Sequence, residues 1–198
     1  MNDRTPARPT EDDNAFKQGL VQLIPHLRAF ARTLTGDPTA ADDLAQDAMM
    51  KAWDARASFQ LGTNMKAWTF MILRNQFYSD KRRSWRQTQL DQEAAERTLV
   101  AVDDPSAPLA LDELRRALNT LPDEQREALV LVGAGGFAYE EAASICGCAV
   151  GTVKSRVSRA RRALQASLDS GAYGADGRAA GEAMSSILAE ADRLSGAR

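Results

Sequence analysis

The sequence predicts an all-α protein with two small helical domains joined by a flexible linker. Apolar residues recur at helical spacing along most of the chain, and no segment alternates as a half-buried strand does. A polar stretch with few apolar residues, 88–108, interrupts this periodicity and is typical of a linker. After it, two short helices joined by a Gly-containing turn indicate a helix-turn-helix.

Changes in composition set the expected domain boundaries. Residues 1–13 are polar and contain two prolines, so we expect them to be disordered. The first helical domain is expected over 14–87 and the second over 109–170. The C-terminal extension, 171–198, is rich in small residues and ends in one further predicted helix, 182–194. The sequence assigns this extension no function.

In the first domain, Asn14 is expected to cap a helix that Pro25 breaks or kinks. A turn at 36–38 leads into the next amphipathic helix, which is expected to start at Thr39 or Asp42. Both segments carry an apolar stripe, so both are expected to pack into one core.

A loop over 57–63 precedes a long helix with Asn64 as its expected cap. That helix is apolar nearly all round, which is typical of a helix sandwiched between others. Its end is basic and includes Trp85, a combination that suits melted nucleic acid, where bases stack and phosphates pair. Taken alone, the segment fits a core helix with a solvated end equally well. The basic residues are Lys81, Arg82, Arg83 and Arg86.

The second domain opens with a predicted amphipathic helix at 109–118. The next helix starts at 121–124, where proline fits the first turn and acids favour the positive end of the helix dipole. Glycines within 133–136 end it, because glycine accepts the left-handed conformation of a helix end. A short helix over 139–145 and a third from about Val150 complete the helix-turn-helix.

The third helix of this domain has two unlike faces. Its apolar residues recur at i, i+4, i+7 and i+11, which predicts one buried stripe: Val153, Val157, Ala160 and Leu164. The other side is basic and hydroxylic, and no acid occurs over 142–168. A merely solvated basic face usually carries acids at i,i+4 spacing, so we favour a helix that enters the major groove of DNA.

The whole chain of 198 residues has 25 Lys and Arg against 27 Asp and Glu, a net charge of −2. Charge is segregated by segment, so the acidic balance does not exclude nucleic acid as a partner. No apolar signal core or membrane-length apolar run occurs, so we expect a cytoplasmic protein that makes no use of a membrane. Cys146 and Cys148 provide too few ligands for structural zinc and are expected to be small apolar residues.

No catalytic constellation emerges from the sequence. The glycines of 133–136 lack the Lys-Ser/Thr of a phosphate-binding loop, and a catalytic triad would need the sole histidine, His26. Asp42, Asp43 and Asp47 cannot converge on one ion at this helical spacing, so a solvated or protein-binding face is favoured. We therefore expect no enzyme, no metal and no cofactor.

The motifs form two ordered sets. The first domain contains DDLAQD at 42–47, AW at 52–53, KAW at 66–68 and LRN at 73–75; the second contains LP at 121–122, REA at 126–128, YEEAA at 139–143 and GTVKSR at 151–156. Together they resemble extracytoplasmic-function (ECF) sigma factors of bacterial RNA polymerase over about 14–168. IPHLRAFARTL, GTNMKAW, ILRNQFYS, ALVLVGAGGF and ICGCAVGTVKSR resemble the EcfG-type general stress response subgroup of alphaproteobacteria.

This resemblance implies sigma domain two over 14–87 and sigma domain four over 109–170. Sigma factors bind core polymerase, recognise the −35 promoter element as duplex and open the −10 element. The expected polymerase contacts are the β′ clamp helices and the β flap. The residues that match the clamp-helix surface are Asp43, Gln46 and Asp47.

The loop 58–63 with Asn75 matches the family's pocket for a flipped −10 base, whose extrusion costs a few kcal/mol of unstacking. The −10 set implied by the resemblance is Ser58, Phe59, Asn75, Lys81, Arg82 and Arg83. The −35 set is Thr152, Lys154, Ser155, Arg156, Arg159 and Arg162. Asp47, where many relatives carry Glu, and Gln60-Leu61 in the loop depart from the family pattern.

EcfG-type members imply a GGAAC-like −35 sequence and control by a small anti-sigma factor of NepR type, which a phosphorylated response regulator, PhyR, would sequester. The chain lacks the strand and helix alternation of a receiver domain, which argues against its being that regulator. Two other classes remain: a sigma-like decoy that binds an anti-sigma factor without initiating transcription, and a helix-turn-helix repressor or activator. The intact cationic faces disfavour the decoy, and the net acidity predicts weak unaided DNA binding.

Overall fold

The computed structural model describes residues 11–60, 62–90, 114 and 116–169. All regular secondary structure in this part of the chain is helical, as predicted: α1 (Glu11–Thr35), α2 (Pro38–Asp54), a 3₁₀ turn (Arg56–Ser58), α3 (Met65–Leu90), α4 (Asp123–Gly133), α5 (Tyr139–Cys146) and α6 (Val150–Asp169). Three predicted segments lie outside the described residues: the expected linker from residue 91 onward, the extension 171–198, and the helix 182–194 within that extension. Of the predicted helix 109–118, Leu114 and residues 116–118 are described, and they are helical.

The N-terminal boundary lies earlier than expected. α1 starts at Glu11 rather than at Asn14, so residues 11–13, expected to be disordered, are helical. Asp13 accepts a hydrogen bond from the guanidinium of Arg56 at 2.7 Å, and this ion pair connects the first turn of α1 to the 3₁₀ turn that follows α2.

Pro25 lies inside α1 without ending it, so of the expected break or kink the break is wrong. Leu20 and Leu27, on either side of the proline, are 4% and 0% exposed and pack into the interior. Burial of such side chains contributes about 1.5–3 kcal/mol each, which offsets the roughly 3 kcal/mol cost of a proline within a helix.

α2 begins at Pro38 rather than at Thr39 or Asp42. Asp37 is its N-cap, and the carboxylate accepts a hydrogen bond from the backbone N–H of Ala40 at 2.7 Å. Proline fits the first helical position because its missing N–H would be unpaired there in any case.

Asn64 caps α3 as predicted, since its side-chain oxygen accepts a hydrogen bond from the Ala67 N–H at 3.1 Å. α3 continues to Leu90, so residues 88–90, expected in the linker, are helical. The helix is also sandwiched as predicted, with α1 and α2 on one side and α5 on the other.

One apolar core runs from the first domain into the second. Phe30 of α1 stacks on Phe70 of α3 with ring centroids 4.9 Å apart, and Phe70 meets the edge of Phe137 at 5.0 Å. Phe137 belongs to the loop between α4 and α5 and is 3% exposed. The second domain therefore packs directly on α3.

The turn of the helix-turn-helix depends on Gly147, which takes a left-handed conformation with φ 63° after α5. The N–H of Cys148 then reaches back to the carbonyl of Ala143 at 3.1 Å, which closes the end of the helix. Cys146 is a buried free thiol and Cys148 a half-buried one, in keeping with their predicted role as small apolar residues. None of the described helices is long and apolar enough to span a membrane.

Candidate nucleic-acid and protein interfaces

α6 carries the predicted apolar stripe on its inner side. Val153, Val157, Ala160 and Leu164 are at most 2% exposed and pack against α4 and α5. This packing fixes the rotation of the helix about its axis. The opposite, cationic side consequently faces solvent.

Three of the six predicted −35 residues are exposed cations: Lys154, Arg159 and Arg162. The Lys154 Nζ lies 5.6 Å from the ring centroid of Tyr139, a cation–π contact that orients the lysine at the start of the helix. Arg159 and Arg162 project from the following turns, where guanidinium groups can meet phosphates and base edges.

The other three predicted −35 residues, Thr152, Ser155 and Arg156, are half-buried. The Ser155 hydroxyl donates to the Thr152 carbonyl at 2.9 Å, and an Arg156 N–H donates to the Cys148 sulfur at 3.8 Å. The first bond lies within the first turns of α6, and the second connects the helix to the turn that precedes it. The Ser155 and Arg156 side chains thus contact the protein itself, and they border the outer face of α6.

On α3, three of the predicted −10 residues, Asn75, Arg82 and Arg83, are exposed. Lys81 is also exposed, but its ammonium pairs with the carboxylate of Asp123 at the start of α4. The second domain therefore engages one of the cations expected to hold −10 phosphates.

The two loop residues of the predicted −10 set have different surroundings. Ser58 is exposed, and its hydroxyl donates to the Ala55 carbonyl at 2.7 Å. The ring of Phe59 is half-buried, 5.7 Å from the Phe16 ring and 5.2 Å from the Trp68 ring. Phe59 therefore helps hold the loop against α1 and α3, and its contact with DNA stays a prediction.

The predicted polymerase-binding residues share one face of α2. Asp43, Gln46 and Asp47 are exposed, while Leu44 and Ala48 on the inner side are buried. The helix thus presents an acidic and polar stripe to solvent. The opposite face of the helix packs on α1 and α3.

Beside this stripe lies an apolar groove between α1 and α2, which sequence reasoning missed. Its volume is about 650 Å³, and its lining includes Val21 and Met50, which are 49% and 58% exposed. The ion pair of Arg28 with Asp42 borders it, at 2.7 Å from Nε to carboxylate, and this hydrogen bond lowers the pKa of Asp42. The sequence feature that could have indicated this groove is Met50, an apolar residue on the otherwise polar outer side of α2.

A polar junction between the domains was likewise not predicted from the sequence. Arg74 of α3 pairs with Glu127 of α4 at 2.5 Å, and the glutamate side chain is 0% exposed. The Tyr78 hydroxyl donates to the second carboxylate oxygen at 3.3 Å. Burial raises the pKa of Glu127 even though Arg74 acts in the opposite direction.

Comparison with known proteins finds a match for each of the two domains. The family model for Sigma-70 region 2 matches residues 20–87, and the model for Sigma-70 region 4 matches residues 111–164. The ECF RNA polymerase sigma factor EcfG of Rhodopseudomonas palustris is 48% identical over 155 residues, which cover 78% of this chain and 86% of the relative.

Two solved structures are similar in fold. The sigma factor RpoE of Bartonella quintana, solved in complex with the anti-sigma factor NepR, has a TM-score of 0.71 and 48% identity, covering 79% of this chain and 98% of that one. CnrH, solved in complex with the cytosolic domain of CnrY, has a TM-score of 0.59 and 26% identity, covering 81% and 94%. The chain therefore belongs to the ECF sigma factors of RNA polymerase and, within them, to the EcfG type.

Proposed function

We propose that this sigma factor directs core RNA polymerase to stress-response promoters. In this proposal it recognises the −35 element as duplex and melts the −10 element. The observation that carries the proposal is the exposed cationic side of α6, with Arg159 and Arg162 outward above a buried apolar stripe. A helix with this distribution fits the major groove, where arginine contacts guanine edges and phosphates.

Melting of the −10 element is assigned to α3 and the loop before it. Exposed Asn75, Arg82 and Arg83 combine an amide with two cations along one helix, which suits a displaced base and its flanking phosphates. The loop 58–63 is the other wall of the proposed base pocket. Its Ser58 is exposed beside the packed Phe59 ring.

Docking on polymerase is assigned to the acidic stripe of α2. Exposed Asp43, Gln46 and Asp47 offer charge for cationic side chains of the β′ clamp helices, and the neighbouring groove offers apolar area at Val21 and Met50. An interface of this kind combines an apolar centre with a polar rim. Contact with the β flap is assigned to the second domain.

A small anti-sigma factor of NepR type is the proposed inhibitor, because the Bartonella quintana RpoE structure is a complex with such a protein. On this proposal the chain is a regulatory subunit without catalytic chemistry of its own. Partnership with core polymerase places it in the cytoplasm.

Footprinting with reconstituted holoenzyme tests the proposal against the alternatives. Core polymerase together with this chain is expected to protect both the −35 and −10 regions of a GGAAC-bearing promoter fragment, whereas neither component alone does so. Protection by the isolated chain would instead identify a stand-alone helix-turn-helix regulator. Binding to the anti-sigma factor without any holoenzyme footprint would identify a decoy.

A further inference from the structure

Near its C-terminal end, α3 carries an exposed tryptophan. Trp85 is 66% exposed, more than any other large apolar side chain among the described residues. Trp53 and Trp68, by contrast, lie against the Phe16 ring, with centroids 6.3 and 6.1 Å away. Tryptophan is highly buried on average, so an indole that stands outside the aromatic core is available to a partner.

This indole lies within a cationic segment. Residues 81–86 are all exposed and include Arg82, Arg83 and Arg86. Arg83 lies 3.8 Å from the carboxylate of Asp80, and an exposed pair of this kind contributes little. Neither Arg82 nor Arg86 forms an ion pair with another residue of the described ranges, and the Arg86 Nε donates to the Arg82 carbonyl at 3.3 Å. Guanidinium groups on both sides of an aromatic ring suit nucleic acid, whose phosphates pair and whose bases stack.

Helical spacing relates these side chains to the predicted −10 residue of α3. Asn75, Arg82 and Arg86 recur at i, i+7 and i+11, so they lie along one face of the helix. Trp85 is three positions from Arg82 and therefore lies on the neighbouring row. Its distance from Asn75 along the helix is about 15 Å, at 1.5 Å per residue, which equals about four base steps of 3.4 Å.

Only an opened segment of DNA offers an indole a base face. Within a duplex both faces of each base are covered by the neighbouring pairs, whereas an unpaired base and the last pair beside an opened segment each expose one. Stacking on an aromatic side chain depends little on base identity. A ring at this distance from the held base therefore favours opening without reading sequence.

We propose that Trp85 stacks on a base at one edge of the opened −10 region, about four nucleotides from the base assigned to Asn75. Arg82 and Arg86 hold the adjoining phosphates. This inference rests on the proposed function, because it requires α3 to be the surface that binds the opened strand. The ring replaces part of the stacking that a base loses on leaving the duplex, so Trp85 stabilises the open complex and takes no part in duplex binding.

A protein partner is the other class of occupant for an exposed indole. Three arginines within five positions favour the polyanion. The two occupants also differ in what they require of the side chain. A protein contact depends on buried apolar area, which leucine largely preserves, whereas stacking on a base depends on an aromatic ring.

The test compares wild type, Trp85→Phe and Trp85→Leu as full chains in reconstituted holoenzyme. Phenylalanine keeps a ring, and leucine keeps apolar area without one. Because position 85 is exposed and neither replacement breaks a helix, both variants are expected to fold. The two variants therefore serve as matched controls for each other.

Two quantities are measured. The first is the fluorescence of the adenine analogue aminopurine, which stacking quenches, placed in turn at each position of the −10 region and its two edges. The second is the affinity of holoenzyme for two promoter fragments, one fully duplex and one with the −10 strand left unpaired. Affinity for core polymerase is recorded for each variant as well.

One aminopurine position, about four nucleotides from the base held by Asn75, is expected to be dim with wild type and Trp85→Phe and bright with Trp85→Leu. Trp85→Leu is expected to bind the unpaired fragment about tenfold more weakly, while Trp85→Phe stays within about twofold of wild type. Binding to the duplex fragment is expected to be unchanged in both variants.

Equal fluorescence in all three proteins at every position would overturn the stacking. An equal loss on the duplex fragment would also overturn it, because that loss marks a contact with the DNA backbone. Weaker binding of Trp85→Leu to core polymerase, with unchanged fluorescence, would reassign the ring to a protein contact. The proposed function is tested apart from this inference, since wild-type holoenzyme either opens the promoter or does not, whichever result position 85 gives.

Discussion

Arg74 of α3 and Glu127 of α4 form an ion pair of 2.5 Å at the junction of the two domains, with the glutamate side chain fully buried. The Tyr78 hydroxyl donates to the same carboxylate, and burial raises the pKa of this phenol. The pair joins the domain assigned to the −10 element to the domain assigned to the −35 element. It therefore links the stability of the free chain to the arrangement of its proposed DNA-binding surfaces.

Glu127→Ala is expected to destabilise the free chain by about 3–5 kcal/mol, because it leaves the guanidinium of Arg74 without its buried partner. Urea unfolding followed by circular dichroism measures this loss. Glu140→Ala, which removes an exposed acid, is expected to change stability by no more than about 0.5 kcal/mol. Equal small losses in the two variants would show that the buried pair contributes little.

The buried thiol of Cys146 predicts a pH dependence of stability. Burial raises its pKa to about 12, from an ordinary 9.0. The unfolded chain releases this proton at lower pH than the folded chain, so the contribution is complete below pH 9 and is lost as pH rises from 9 toward 12. Urea midpoints at pH 8 and pH 10.5 should differ less for Cys146→Ala than for Cys148→Ala. The same slope in both variants would assign the effect to other groups.

Arg159→Ala is expected to weaken recognition of the −35 element by about 1–3 kcal/mol, provided that the exposed guanidinium contacts a base edge. Holoenzyme binding to a promoter fragment, measured beside a fragment with a scrambled −35 element, gives the sequence-specific part. Arg32→Ala, an exposed arginine of α1, is the control. Equal loss on both fragments would mark Arg159 as a phosphate contact.

Asn75→Ala is expected to impair promoter opening while leaving binding to duplex DNA unchanged, because the exposed amide lies on the helix assigned to the displaced base. Permanganate reactivity of unpaired thymines in the −10 region reports the open complex. The Arg159→Ala variant provides the opposite pattern, with reduced duplex binding. An open-complex signal equal to wild type would remove Asn75 from the proposed pocket.

Asp43→Lys with Asp47→Lys is expected to lower affinity for core polymerase by tenfold or more, about 1.4 kcal/mol, with little change in folding, since both side chains are exposed. Equilibrium binding of labelled chain to core polymerase gives the affinity. Asp12→Lys reverses an exposed charge on α1 and serves as the control. Similar losses from both changes would indicate a general charge effect.

The helix-turn-helix could be predicted from sequence because its determinants are local. Gly147 supplies the left-handed turn residue, and the spacing from Val153 to Leu164 fixes which side of α6 is buried. The cap at Asn64 is equally local. Such features depend on neighbours within one or two helical turns, so they can be predicted from a single sequence.

Features set by tertiary packing could not be predicted in this way. The continuity of α1 through Pro25 depends on burial against α2 and α3. Phe59 was assigned to DNA, yet its ring packs on Phe16 and Trp68, which are distant in sequence. Lys81 was likewise assigned to DNA, yet it pairs with Asp123, which lies 42 positions further along the chain.

Run-off transcription tests directly whether this chain selects promoters for core polymerase. Core polymerase and this chain would be incubated on two templates that differ only in the −35 element, one with GGAAC and one scrambled. If the chain directs polymerase to the −35 element, we expect a discrete transcript from the first template, little from the second, and none without the chain. Transcripts of equal amount from both templates, or none from either with active core polymerase, would contradict it.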